Sequence, residues 1–112
     1  MVLAPYWPLV PGAVRAASAA VVEVDVTQRL YEDPSLSLRA MLEERLTPRT
    51  KLVYFISPNN PDGKVLSAAQ RASVARVARD RNLWVLSDEV YADYAYTARG
   101  DSGEGHGSVC DW

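Results

Sequence analysis

Two short polar stretches hold the residue types in this chain that do chemistry: Asn59-Asn60-Pro61-Asp62-Gly63 and Ser87-Asp88-Glu89-Val90-Tyr91. The first offers side-chain amides, which donate and accept. The second offers a carboxylate, which when ionised only accepts, and a phenol. A carboxylate such as Asp88 can keep a nearby heterocyclic nitrogen protonated through a charge-assisted hydrogen bond. It can equally cap a helix opening at Glu89, a common duty of Ser-Asp pairs. Asn59 and Asn60 likewise have a second reading as turn residues, because Asn tolerates left-handed backbone and Pro-Asp-Gly is a turn sequence. Glu89 reads as an early-turn acid suited to a helix dipole.

The elements around these stretches place both on one rim. Each follows a short apolar run of strand character, Leu52-Val53-Tyr54-Phe55-Ile56 in the first case and Leu83-Trp84-Val85-Leu86 in the second. Between them Ser67 to Arg81 has helical composition, with Ser67 as its cap, Val74, Val77 and Ala78 inward, and Arg71, Arg76 and Arg79 largely outward. Strand, turn, helix, strand, turn is the βαβ grammar of an α/β fold with a parallel sheet. Ligands of such sheets collect at the carboxyl ends of the strands. An amide-bearing turn beside a carboxylate-bearing turn is therefore a candidate small-molecule site.

The rest of the chain fits the same class. Met1 to Ala4 reads as the end of a buried strand, and Pro5-Tyr6-Trp7-Pro8 interrupts regular structure. Val10 to Ala20 is predicted as a short helix, Val21 to Val26 as a strand, and Thr27 to Pro34 as a polar connection. Ser35 or Ser37 caps a helix over Leu38 to Leu46, whose stripe of Leu38, Met41 and Leu42 ends before Pro48. Lys51 to Ser57 is apolar on both faces and so belongs at the centre of the sheet. Val90 to Tyr96 is expected as a short helix or irregular turn, and the glycine-bearing tail from Thr97 as flexible.

Composition narrows the function. At 112 residues the chain is one domain at most, 48% hydrophobic and 23% charged. A net charge of −2 gives no electrostatic case for nucleic acid or an anionic membrane. No apolar run reaches the ~18 residues of a spanning helix, and Met1-Val2-Leu3-Ala4-Pro5 lacks the charged start and long apolar centre expected of a signal peptide. The single Cys110 fits a reducing cytosol, so a cytoplasmic location is expected. His106 and Cys110 stand without metal spacing, Ser108 lacks a well-placed base, and Arg99-Gly100-Asp101 is a bare tripeptide. No dinucleotide fingerprint follows an early strand.

Ser57-Pro58-Asn59-Asn60-Pro61-Asp62-Gly63, followed by Ser87-Asp88-Glu89-Val90-Tyr91, resembles the central part of the class I/II aminotransferases, pyridoxal-phosphate enzymes of fold type I. Asp62 replaces the family's usual Thr, and matched spacing from Pro5-Tyr6-Trp7 onward carries the likeness over roughly the first hundred residues. The resemblance implies a three-layer α/β/α fold with a mostly parallel sheet, here an incomplete large domain over residues 1–112 with a tail from 97. It implies pyridoxal 5'-phosphate as cofactor, with Asp88 at the ring nitrogen, Asn60 and Tyr91 donating to the ring oxygen, Trp7 stacked on the ring, and a cis Asn60-Pro61 bond. Trp7 has a second reading as an aromatic packed in the core beside the proline turn. It also implies amino acid and 2-oxo acid substrates and a homodimeric parent.

The covalent lysine of that family has no match, because Lys51 opens a strand and Lys64 follows the turn. The upstream glycine-rich phosphate loop and the downstream arginine for the substrate carboxylate are missing too. The expectation is a fragment of a longer enzyme, inactive alone. Same-fold alternatives are a carbon–sulfur lyase or an aminocyclopropane-carboxylate synthase-like enzyme. A non-catalytic remnant or interaction module is the alternative from another class.

Overall fold

The length of the first strand limits how the sheet can grow. In the computed structural model, which describes residues 1–95, β1 (Val2–Ala4) lies between β2 (Glu23–Asp25) and β3 (Leu52–Ile56), with β4 (Trp84–Asp88) beyond β3. Every pairing is parallel. The predicted strand over Val21–Val26 is trimmed to three residues because β1 offers only three partners, Val2, Leu3 and Ala4. Two flanking bonds, Val2 N–H to Val22 O (2.9 Å) and Val26 N–H to Ala4 O (3.1 Å), continue the ladder past the ends of that strand.

Four helices connect the strands: α1 (Val10–Ala16), α2 (Thr27–Glu32), α3 (Leu38–Glu43) and α4 (Ala68–Arg81). The helix α4 forms where the cap and apolar spacing predict it. Ser67 Oγ accepts from the Gln70 N–H while the Gln70 side chain accepts from the Ser67 N–H, which satisfies two orphan donors reciprocally. Val74, Val77 and Ala78 are buried as predicted, and Asn82 in left-handed geometry (φ 52°) ends the helix. Of the two serines offered as caps for α3, Ser37 is the one used, accepting from the Ala40 N–H.

Helical boundaries depart from expectation in three places. First, α1 stops at Ala16 instead of Ala20, because Ser18 at φ 56° turns the chain and the Ala19 N–H reaches back to Val14 O. Second, Thr27 to Glu32 is a helix and not a polar connection. Its apolar signal is thin, one buried residue (Leu30), and polar links stabilise it: Gln28 to Glu32 at 2.9 Å and Arg29 to Glu44 at 2.8 Å. Third, α3 ends at Glu43, after which i→i−3 bonds at Arg45 and Leu46 tighten the chain into a turn.

The sheet separates two cores. Leu3, Val24, Val53 and Phe55 pack with α2, α3 and α4 on one face, while Val2, Tyr54 and Ile56 pack with Val10 of α1 on the other. As expected for a central strand, β3 is covered on both sides: Val53 and Phe55 are 0% and 1% exposed, Tyr54 and Ile56 9% and 6%. Helices on both faces of a parallel sheet make this an α/β/α fold. The chain leaves β1 toward β2 and leaves β3 toward β4. Those neighbouring strands thus send their connections in opposite directions, and between their carboxyl ends lies the crevice where such folds receive ligands.

Candidate functional site

Three loops meet on this rim: Pro5 onward after β1, Ser57 to Gly63 after β3, and Glu89 to Tyr91 after β4. The middle loop is the most tightly built. The Asn59 N–H bonds Lys64 O and the Gly63 N–H bonds Asn59 O, each at 2.9 Å. Gly63 sits at φ +69°, a backbone that side chains with a Cβ rarely adopt. The Asn60-Pro61 bond is cis, as the resemblance implied, and so is Ser57-Pro58. At the base of the loop the buried Ser57 Oγ accepts from the Leu66 N–H (3.0 Å), so the segment running to α4 is anchored too.

Asp88 is the last residue of β4 and is half-buried. Its Oδ1 accepts from the Val90 N–H at 3.2 Å. That is the local backbone duty foreseen for it, but it braces a turn: no helix starts at Glu89, and a single 3-10 turn follows at Ala92–Tyr94. Its Oδ2 accepts from the Tyr54 phenol at 3.0 Å. An ionised carboxylate has about four acceptor positions, so two such bonds leave room for a further donor. Burial first, and then the Asp88 carboxylate, push the Tyr54 phenol above its ordinary range.

Asn60 and Tyr91 come together from different loops, with Asn60 Nδ2 3.5 Å from the Tyr91 hydroxyl. Tyr91 is further held edge-on to Tyr94, ring centroids 6.3 Å apart at 71°. Pro58, Asn60, Pro61, Tyr91 and Tyr94 line an open groove of about 600 Å³. Trp7 stands on the loop after β1, 47% exposed, which excludes the alternative of an aromatic packed in the core. It does not line the groove. Its neighbour Tyr6 points elsewhere, its hydroxyl bonded to the Glu23 carboxylate on β2.

Two further residues shape the rim, Asn59 from the turn the sequence singled out and Tyr54 from a strand it did not. Asn59 donates through Nδ2 to Pro5 O and to Asp62 Oδ1, each at 2.8 Å, so it braces the rim. Tyr54 reads in the sequence as one more apolar residue of a buried strand, and only the pairing of β3 with β4 sets its hydroxyl on Asp88. Lys51 lies just before β3, at the opposite end of the sheet from Asp88, and Lys64 closes the turn through its backbone. The described residues contain no cluster suited to a metal ion and no helix long and apolar enough to cross a membrane. The sequence features at Arg99-Gly100-Asp101, His106, Ser108 and Cys110, and the tail from Thr97, lie outside the described residues.

With this geometry in place, comparison with known proteins gives a consistent result. The profile of the family aminotransferase class I and II matches residues 1–106. The chain is 35% identical over 96 residues to an aspartate aminotransferase of Streptomyces avermitilis, covering 86% of this chain and 23% of that protein. It is 38% identical over 98 residues to an aspartate/prephenate aminotransferase of Thermus thermophilus, covering 86% and 24%. Among solved structures, an aspartate aminotransferase from Thermus thermophilus with maleate superposes at a TM-score of 0.76 with 35% identity, over 87% of this chain and 25% of that one. The chain thus spans about a quarter of the length of these relatives.

Proposed function

The chain belongs to the class I and II aminotransferase family, and from that premise we propose that it forms part of the cofactor-holding rim of an enzyme that transfers an amino group between an amino acid and a 2-oxo acid. The cofactor in this reading is pyridoxal 5'-phosphate, and the donor set on the rim suits it. Its ring nitrogen needs an anionic acceptor and its ring oxygen needs donors; Asp88 is the first, Asn60 and Tyr91 are the second. When bound, the cofactor supplies an electron sink for bond breaking at the substrate's α-carbon.

The observation that carries the proposal is the approach of the Asn60 amide to the Tyr91 hydroxyl, 3.5 Å across two loops. Donors from separate strand ends that converge on one point can address a single oxygen. Asp88 keeps a proton on the ring nitrogen, while Asn60 and Tyr91 draw charge onto the ring oxygen. Trp7, exposed on the neighbouring loop, offers a face for stacking. No residue of the chain is assigned the covalent lysine's role. The homodimeric assembly and cytoplasmic location belong to the same reading and rest on the family and on the single cysteine respectively.

Pyridoxamine 5'-phosphate is the probe of choice, because its amine cannot condense with Lys51 or Lys64 as an aldehyde would. The expected result is saturable quenching of tryptophan fluorescence, with binding weakened about tenfold or more by Asp88→Ala through loss of a charge-assisted bond. Equal affinity of Asp88→Ala and the unsubstituted chain would overturn the assignment.

A further inference from the structure

We infer that Tyr54 is a positioning residue for Asp88, holding one oxygen of the carboxylate through its phenol so that the carboxylate keeps a single orientation at the rim. The inference rests on the cofactor reading of Asp88 for its consequence, but on the fold alone for its geometry. Tyr54 lies opposite Leu86, and Ile56 opposite Asp88, in the β3–β4 register. Tyr54 and Asp88 are therefore diagonal neighbours on one face of the sheet, a separation that an aromatic side chain spans. The contact is 3.0 Å from the phenol oxygen to Oδ2.

Packing alone does not explain a tyrosine here. The ring lies in the core formed by Val2, Val10 and Ile56, which a phenylalanine of nearly equal volume would fill as well. What the hydroxyl adds is a donor, and its acceptor is the Asp88 carboxylate. The second hold is the Val90 N–H on Oδ1. With one donor on each oxygen, rotation of the carboxylate about its side-chain torsions breaks at least one bond. A carboxylate fixed in this way meets an incoming ring nitrogen without first losing rotamer freedom, which preserves affinity. The phenol stays a donor throughout the neutral range, since burial and then the Asp88 charge oppose its ionisation.

The test compares the unsubstituted chain with Tyr54→Phe, after circular dichroism has shown that both fold. Three-bond couplings of Asp88 report its rotamer by NMR, and the ring-nitrogen shift of ¹⁵N-labelled pyridoxamine 5'-phosphate reports the proton Asp88 holds there. The expected results for Tyr54→Phe are averaged Asp88 couplings, probe binding weaker by about threefold to tenfold, and a ring nitrogen that loses its proton at lower pH. A purely structural role would leave the ring titration where it was.

Asp88→Asn gives a second measurement that does not need the probe, because the Tyr54 phenol should then ionise at lower pH in an ultraviolet titration. A single Asp88 rotamer and an unmoved ring titration in Tyr54→Phe overturn the inference. Failure of the probe to bind the unsubstituted chain, with the Asp88 rotamer still released by Tyr54→Phe, overturns the cofactor reading and leaves the positioning intact.

Discussion

The side-chain amide of Asn59 lies 2.8 Å from the backbone carbonyl of Pro5, so one hydrogen bond joins the loops that leave β1 and β3. These strands are neighbours whose connections depart in opposite directions, and this bond spans the crevice between them. The same amide nitrogen donates to Asp62 at 2.8 Å, which ties the brace to the turn bearing Asn60. Asn59→Ala removes both bonds and leaves the Pro5 carbonyl short of a partner. The expected cost is about 1–3 kcal/mol of folding stability, read as a lower urea midpoint. A change below a few tenths of a kcal/mol would show that solvent replaces the brace.

Ser87 presents the opposite case. Its hydroxyl is buried and has no hydrogen-bond partner among the described residues. An unsatisfied buried hydroxyl costs free energy that alanine does not incur, while the Cβ and the strand geometry are kept. Ser87→Ala is expected to leave stability unchanged or raise it by up to about 1 kcal/mol. Loss of stability on that substitution would mean that the hydroxyl makes a bond in solution.

These two residues show where the sequence informs and where it stops. The helix over Ala68–Arg81 was legible because cap and apolar spacing agree within one segment. The central position of β3 was legible because its run is apolar on both faces. Asp88, Asn60 and Tyr91 stood out as turn residues at strand ends, and the fold places them on one rim. Asn59 was legible as a residue of the amide-bearing turn, but its bond to Pro5 was not, and Tyr54 was not legible as a site residue at all, because Pro5 and Asp88 are distant in sequence and meet these residues only through strand order. The helix over Thr27–Glu32 was missed for a related reason: a single buried leucine gives no periodicity to read.

Asp62, which stands where the family commonly has Thr, should make the turn acid-sensitive. Burial alone would raise its pKa, but bonds from the Thr27 hydroxyl, the Lys64 N–H and the Asn59 amide outweigh it and hold the carboxyl below its ordinary 3.8. A carboxyl depressed in the fold contributes stability that is present above its unfolded value and is lost as pH falls through the folded one. The urea midpoint should therefore decline below about pH 4. Asp33 and Glu44 are also depressed, so the decisive quantity is a difference. Asp62→Asn should decline less steeply than the unsubstituted chain over that range; parallel curves would remove Asp62 from the account.

The far edge of the sheet carries the last expectation. Trp84 is 77% exposed and Leu86 52%, and the register puts both on the face of β4 that α1 does not reach, beside Leu52 and Tyr54. Val90, at 68%, extends the apolar surface toward the rim. Among the described residues β4 pairs on one side only, so its other edge presents unpaired backbone groups next to exposed apolar side chains. That combination favours association of sheets with one another. The chain studied by itself is expected to self-associate at tens of micromolar and above. A charge on the open face opposes such pairing at little cost where burial is low, so Trp84→Lys combined with Leu86→Lys should shift sedimentation toward the monomer and leave the circular dichroism spectrum unchanged. If the doubly substituted chain sediments like the unsubstituted one, association runs through a different surface, and the apolar face of β4 is not what drives it.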